Sequence, residues 1–165
     1  VMGILLERYL DFSSPWLVSL LFMVTAAILF ASKEKGGERG FAGIRWRDAL
    51  LVGAAQGFGV LPGISRAGIT IAVGLFSGLD RRHAGEFSFL LSVPAILGAL
   101  VITLGDAAAL GSGVGLAPVA VGFVTSAVIG LLSLVLLLRL VQGGKLYLFT
   151  WYLIPLGIFG IIYFL

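Results

Sequence analysis

Apolar residues along this chain fall in long unbroken blocks rather than in the three-and-four spacing of a helix with one wet face. Pro15 to Ala31, Phe87 to Leu104, Leu116 to Leu138 and Leu146 to Leu165 are runs of 17, 18, 23 and 20 residues with no charged side chain. A helix needs ~20 predominantly apolar residues to cross the hydrocarbon of a bilayer, so each run predicts a spanning helix. A fifth block, Ala49 to Leu79, is 31 residues long and carries one charge, Arg66, near its middle. Polar residues collect between the blocks, above all in Lys33 to Asp48 with its glycines Gly36, Gly37, Gly40 and Gly43. That stretch reads as a flexible connector, and it lacks the lysine-serine ending of a phosphate-cradling P-loop.

The fifth block admits two readings. As one helix it would be ~46 Å long; as two arms joined by a turn it would enter and leave on the same side. Seven glycines (Gly53, Gly57, Gly59, Gly63, Gly68, Gly74 and Gly78) and the central Pro62 favour the second. They divide the block into arms Ala49 to Leu61 and Ile69 to Leu79, ~20 and ~16 Å long, each too short to cross ~30 Å of hydrocarbon.

The basic residues test this choice independently. With a re-entrant hairpin, Lys33, Lys35, Arg39, Arg45, Arg47, Arg81, Arg82, Arg139 and Lys145 share one side and only Arg8 lies opposite, nine against one. If the block crossed instead, Arg81, Arg82, Arg139 and Lys145 would join Arg8 and leave five against five. Positively charged loops stay in the cytoplasm, so the bias selects the hairpin and places its feet there. The expected layout is 1–14 as the remnant of a preceding helix, a span over 15–32, a cytoplasmic loop over 33–48 and the hairpin over 49–79. Spans over 84–104, 116–138 and 146–165 follow. The fold class is all-α and integral to a membrane, with four transmembrane helices plus one re-entrant helix-loop-helix hairpin. Val1 to Ser14 lack a basic region followed by a cleavage site and so do not resemble a signal peptide; they suggest a chain that begins partway through a larger protein.

Composition agrees with this class: 59% of the residues are hydrophobic, 12% are charged, and mean hydropathy is +1.12. Cysteine is absent and His83 is the only histidine, which excludes a disulfide framework, a thiolate metal site and a histidine cluster. His83, at the foot of the hairpin, reads as a solvated interfacial residue.

Candidate chemistry concentrates in Pro62-Gly63-Ile64-Ser65-Arg66-Ala67-Gly68-Ile69-Thr70. An arginine at bilayer depth costs a few kcal/mol or more and is a functional-site hypothesis by default. Its partner should be a phosphate, which accepts the planar guanidinium fork bidentately. Irregular backbone at that depth lines a site or lies buried in protein, and the start of the second arm adds unpaired amides. Ser65 and Thr70 sit beside Arg66; as membrane hydroxyls they could equally bond a preceding carbonyl. Gln56 could hold a substrate oxygen or bridge two helices. Glu86 could complement a helix dipole or orient Arg66 or Arg82. Ser65 and Arg66 are the candidate catalytic residues, and Gln56, Gly63, Thr70 and Glu86 the candidate substrate-binding ones.

Gln56 to Thr70, QGFGVLPGISRAGIT, together with Glu86 to Ala99, EFSFLLSVPAILGA, resembles the undecaprenyl-diphosphate phosphatases associated with bacitracin resistance. The resemblance extends along most of the chain and is to the C-terminal portion of that family. It implies a multi-pass enzyme of the bacterial inner membrane that hydrolyses undecaprenyl diphosphate to the monophosphate lipid carrier, with its active site open to the periplasm. It also implies two inverted repeats, each with a re-entrant hairpin. Ser65, Arg66 and Thr70 match the serine, arginine and threonine of the second hairpin. Ala67 stands where the family usually has a second serine. The acidic first hairpin of the family, EGxTEFLPxSSTGH, has no match in Val1 to Leu165, so its serine is an equal candidate nucleophile to Ser65. A divalent cation, magnesium or calcium, would bridge its glutamates and the diphosphate in the intact enzyme; no residue here forms a metal site. Implied partners are the polyprenyl diphosphate, the membrane, and a first-repeat segment or a second copy in a homodimer; no nucleic acid is implied. The competing class is a transporter or flippase that binds a lipid phosphate without hydrolysing it.

Overall fold

The computed structural model describes residues 14–110 and 115–164. The expected helix remnant over 1–14 lies almost wholly outside the described residues, as do residues 111–114. The described chain is helical, with one isolated bridge between Arg39 and Leu79 as its only extended pairing.

Six α-helices follow in order: α1 Pro15–Ala31, α2 Trp46–Phe58, α3 Arg66–Phe76, α4 Arg81–Leu110, α5 Leu116–Gln142 and α6 Thr150–Phe164. Short 3-10 turns cover Phe41–Gly43 and Leu146–Phe149. Three segments are long and apolar enough to cross a membrane: Arg81–Gly105, Ala117–Gln142 and Leu146–Phe164. The expected span at α1 has 17 residues, ~26 Å, and falls short of the hydrocarbon thickness on length alone. Pro94 and Pro155 sit inside α4 and α6, a placement tolerated in apolar helices whose neighbours re-satisfy the freed carbonyl.

The fifth block does break in two, but its arms begin about three residues earlier than the glycine pattern predicts. Asp48 is the cause at the first arm: its Oδ2 accepts the Arg45 amide at 3.0 Å and caps α2 ahead of the apolar run. Ser65 is the cause at the second, its Oγ accepting the Gly68 amide at 3.1 Å to cap α3. The start of α4 also moves outward, to Arg81, because Asp80 accepts the His83 amide at 2.8 Å.

The loop between α1 and α2 is pinned rather than a flexible connector. Gly37 donates its amide to Leu79 O at 2.9 Å, and Asp80 donates to Arg39 O at 3.0 Å. Arg81 Nη2 donates to Lys33 O at 3.0 Å, and Arg39 Nη1 bridges Gly43 O at 3.0 Å and Asp48 Oδ2 at 2.8 Å. One loop therefore holds both the start of α2 and the end of α3. A side chain at Gly37 would collide with the Gly78 carbonyl, which explains a glycine that composition alone assigned to flexibility. The Arg45 amide and the Arg39 guanidinium hold the Asp48 carboxyl below its ordinary 3.8. Partial burial pushes the Asp80 carboxyl up, but hydrogen bonds from the His83 amide and ring outweigh it and leave that group lowered. His83 is partly solvated but also held: its ring bonds Asp80 and packs edge-on against Phe41 at 4.8 Å.

The core lies at this same end. Leu29 of α1, Ile71 and Leu75 of α3, Leu79, Ala84 of α4, Val141 of α5 and Leu146 form one cluster. Full burial of a side chain such as Ile71 or Leu79 contributes roughly 1.5–3 kcal/mol. Away from it α5 is exposed along its apolar face, with Phe123 at 73%. Such a surface suits lipid or packed protein rather than water.

Candidate functional site

The irregular segment between α2 and α3 is seated on α1. Gly63 has φ of +94°, open to glycine at little strain, and a Cβ there would lie 2.5 Å from Val18 O. Buried Thr25 of α1 donates to Gly63 O at 3.0 Å and accepts the Ser65 amide at 3.2 Å. One hydroxyl thus satisfies two backbone groups of the turn, a role the sequence did not assign to Thr25. Gly63 therefore shapes the turn against α1 and is not among the residues lining the cavity beside it.

That cavity, of about 220 Å³, lies between α3, α4 and α5 with Gln56 of α2 at its edge. Its polar wall is Gln56, Arg66, Thr70, Ser88 and Ser92; Ile71, Ile96, Leu134 and Leu138 are among its apolar lining. Arg66 opens α3 and is exposed, at a point where Gly59 leaves room: a Cβ on Gly59 would lie 2.8 Å from Arg66 Cα. The ion pairs among the described residues are Arg39–Asp48, Arg82–Glu86 and His83–Asp80. None includes Arg66, and its guanidinium donates to no carbonyl among the described residues. The Nε2 of Gln56 is buried without a hydrogen-bond partner among the described residues. Two donors of one wall are thus left for an acceptor that the described chain does not supply, and an unmatched buried amide costs ~1–3 kcal/mol. The first amides of α3, at Arg66 and Ala67, have no preceding helical carbonyl to bond and add donors at the positive end of the helix.

The other predicted site residues separate into three kinds. Ser65 is exposed at the helix start, its oxygen engaged as the α3 cap and its proton uncommitted to any partner among the described residues. Thr70 is buried, bonding Arg66 O at 2.8 Å, Ala67 O at 3.2 Å and the Ser88 hydroxyl. Glu86 accepts from Arg82 Nε at 2.8 Å on a solvent-facing stretch of α4 and does not line the cavity. Of the two arginines weighed for it, its partner is Arg82. Ser88 and Ser92 were not singled out from the sequence; their signal was two hydroxyls four residues apart in an otherwise apolar span, a spacing that shares one helix face.

A charged donor at a helix start, an unmatched amide and, among the described residues, no acid on the cavity wall are features that suit an anion. Comparison with known proteins is consistent with that chemistry. Residues 1–159 match the family described as "Bacitracin resistance protein BacA". The chain belongs to this family. Among its curated relatives, the undecaprenyl-diphosphatase of Treponema denticola is 43% identical over 164 residues, 99% of this chain and 61% of the relative. That of Methanosphaera stadtmanae is 39% identical, covering 98% of this chain and 59% of the relative. That of Korarchaeum cryptofilum is 40% identical, covering 96% and 59%. The chain thus spans about three fifths of the length of the relatives it matches. Membership of the BacA family, with three helices long and apolar enough to cross a membrane, fits a multi-pass membrane protein.

Proposed function

We propose that this chain carries the arginine side of an undecaprenyl-diphosphatase site, acting on a polyprenyl diphosphate in the bacterial inner membrane. The observation that carries the reading is the Arg66 guanidinium, without a protein acceptor among the described residues, at the start of α3 beside the unmatched Gln56 amide. The names of its relatives give the substrate. In this reading α2 and α3 are a re-entrant hairpin with cytoplasmic feet, α1, α4, α5 and α6 are the four spans, and the arrangement is the second half of an inverted repeat. The common loop that holds both feet supports the hairpin.

Hydrolysis breaks the bond between the terminal phosphorus and the bridging oxygen. Water adds, and a phosphate and a lipid monophosphate leave. Arg66 clamps the phosphates and stabilises charge that develops on the transferred group, with the α3 amides and the Gln56 amide as further donors. Either a water attacks the terminal phosphorus directly, or the Ser65 hydroxyl attacks, gives its proton to a base, and forms a phosphoserine that water then hydrolyses to release phosphate. Among the described residues the cavity wall holds no carboxylate or imidazole, and no group of three metal-binding side chains occurs. The donor set of the described wall, amides, hydroxyls and a guanidinium, does not fit a divalent cation. The base belongs to a segment this chain does not describe, either the part by which the relatives are longer or a second copy.

Binding of farnesyl diphosphate to the detergent-solubilised chain tests the reading. The native chain should prefer it over farnesyl monophosphate, and Arg66→Ala should weaken it ~10- to 100-fold, the worth of a charge-assisted hydrogen bond or two. Arg66→Lys should recover only part, because lysine presents a point charge in place of a planar fork. Equal binding by native chain and Arg66→Ala would remove the basis of the proposal.

A further inference from the structure

Thr70 and Ser88 form the one contact between buried side-chain hydroxyls that links two helices at the cavity wall among the described residues. Its proton arrangement follows from counting. The Thr70 hydroxyl has a single proton, and both Arg66 O, at 2.8 Å, and Ala67 O, at 3.2 Å, can only accept it. Thr70 therefore spends its proton on those carbonyls, and the shared contact with Ser88 must be made by the Ser88 proton. Ser88 makes no other side-chain hydrogen bond among the described residues, whereas Ser92, one turn on, returns its proton to Phe89 O at 2.7 Å in its own helix.

The result is a directed chain from α4 to α3: Ser88 donates to Thr70, and Thr70 donates to the carbonyl of Arg66. Arg66 and Thr70 are four residues apart and share one face of α3. Fixing Thr70 to α4 therefore helps set the rotation of α3 about its axis, and with it the direction in which the Arg66 side chain leaves the helix. Ile71 and Leu75 pack α3 into the core, and the Thr70–Ser88 contact is the polar tie that refines its angle at the cavity wall.

We infer that Ser88 is a positioning residue for Arg66, acting through Thr70 rather than touching the substrate's reacting atoms. The inference rests on the phosphate-binding reading of Arg66 for its functional consequence, but the coupling itself is a property of the chain alone. Loss of the Ser88 proton leaves Thr70 one acceptor site unfilled and removes the polar tie between α3 and α4, so Arg66 should be displaced slightly without being removed.

The test has two readouts on the full chain in detergent micelles. The first needs no ligand: the carbonyl carbon resonance of Arg66, by NMR. Ser88→Ala should shift it, Ser88→Thr should restore it, and Ser126→Ala, which removes a matched hydroxyl on exposed α5, should leave it in place. The second is affinity for farnesyl diphosphate. Ser88→Ala should weaken it about fivefold, consistent with one neutral hydrogen bond, Ser88→Thr should recover it, and adding Ser88→Ala to Arg66→Ala should change nothing further. An unmoved Arg66 resonance in Ser88→Ala overturns the inference whatever the chain binds. A Ser88→Ala loss of equal size in the Arg66→Ala background also overturns it, since Ser88 would then act on stability or on another group. A shifted resonance with no diphosphate binding by any form would sustain the coupling and refute the phosphate reading instead.

Discussion

Gly63 illustrates how much a single position decides here. Its backbone is in the left-handed region, at φ +94°, and its missing side chain lets the turn press against Val18 of α1. Gly63→Ala should therefore be destabilising by about 2 kcal/mol or more, from strain and collision together, and should lower the thermal unfolding midpoint of the detergent-solubilised protein. An unchanged midpoint would mean that the turn does not seat on α1 as described. At this scale the sequence was partly legible. Arg66 stood out because a charge in an apolar block is costly, and Ser65 and Thr70 because they flank it. Which hydroxyl does what was not legible, since Ser65 as a cap, Thr70 as a link and Thr25 as a bridge differ only in what lies across from them in space. Glu86 shows the same limit of sequence alone: its charge was visible, and the structure pairs it with Arg82, four residues back and one of the two arginines weighed for it.

Among the elements, the break of the fifth block into two short helices was legible from Pro62 and the glycines, while the arm boundaries were not. The caps that set them, Asp48 and Ser65, lie at or beyond the edges of the apolar arms that defined the expectation. The loop before α2 was read as flexible from its glycines, yet those glycines admit close backbone approach, and the loop braces both feet of the pair. Asp48 is central to that brace, and its acid response is predictable. Hydrogen bonds from Arg45 and Arg39 put its folded value below 3.8, so the unfolded chain takes up the proton first. The stability it contributes is complete above about pH 4 and is lost as pH falls through the lowered folded value. Thermal unfolding between pH 7 and pH 3 should show a falling midpoint below pH 4 in the native chain, and a smaller fall in Asp48→Asn. Asp80 is lowered too, so some acid loss should remain. Identical falls in both proteins would mean that the brace contributes nothing.

On the scale of the whole molecule, the blocks of apolar residues announced a membrane protein, and the all-helical architecture follows. The asymmetry of lysine and arginine across the proposed bilayer then becomes a question of sidedness. Absence of cysteine makes the chain suited to single-cysteine labelling. In vesicles, Lys35→Cys and Gln142→Cys should react with an impermeant maleimide from the same side, and Gly115→Cys from the other. Reaction of Lys35→Cys and Gln142→Cys from opposite sides would mean that the α2–α3 block crosses. Among the described residues the cavity wall carries no carboxylate or imidazole and no group of three metal-binding side chains occurs, so the base of the proposed hydrolysis comes from outside this wall. The most direct measurement is phosphate release from undecaprenyl diphosphate by the chain alone, and by a form carrying the extra length of its relatives, each with and without Arg66→Ala. The account predicts release by the longer form and a loss of about 100-fold or more on Arg66→Ala, the scale of removing a donor that stabilises transition-state charge. Release that is unaffected by Arg66→Ala would contradict it.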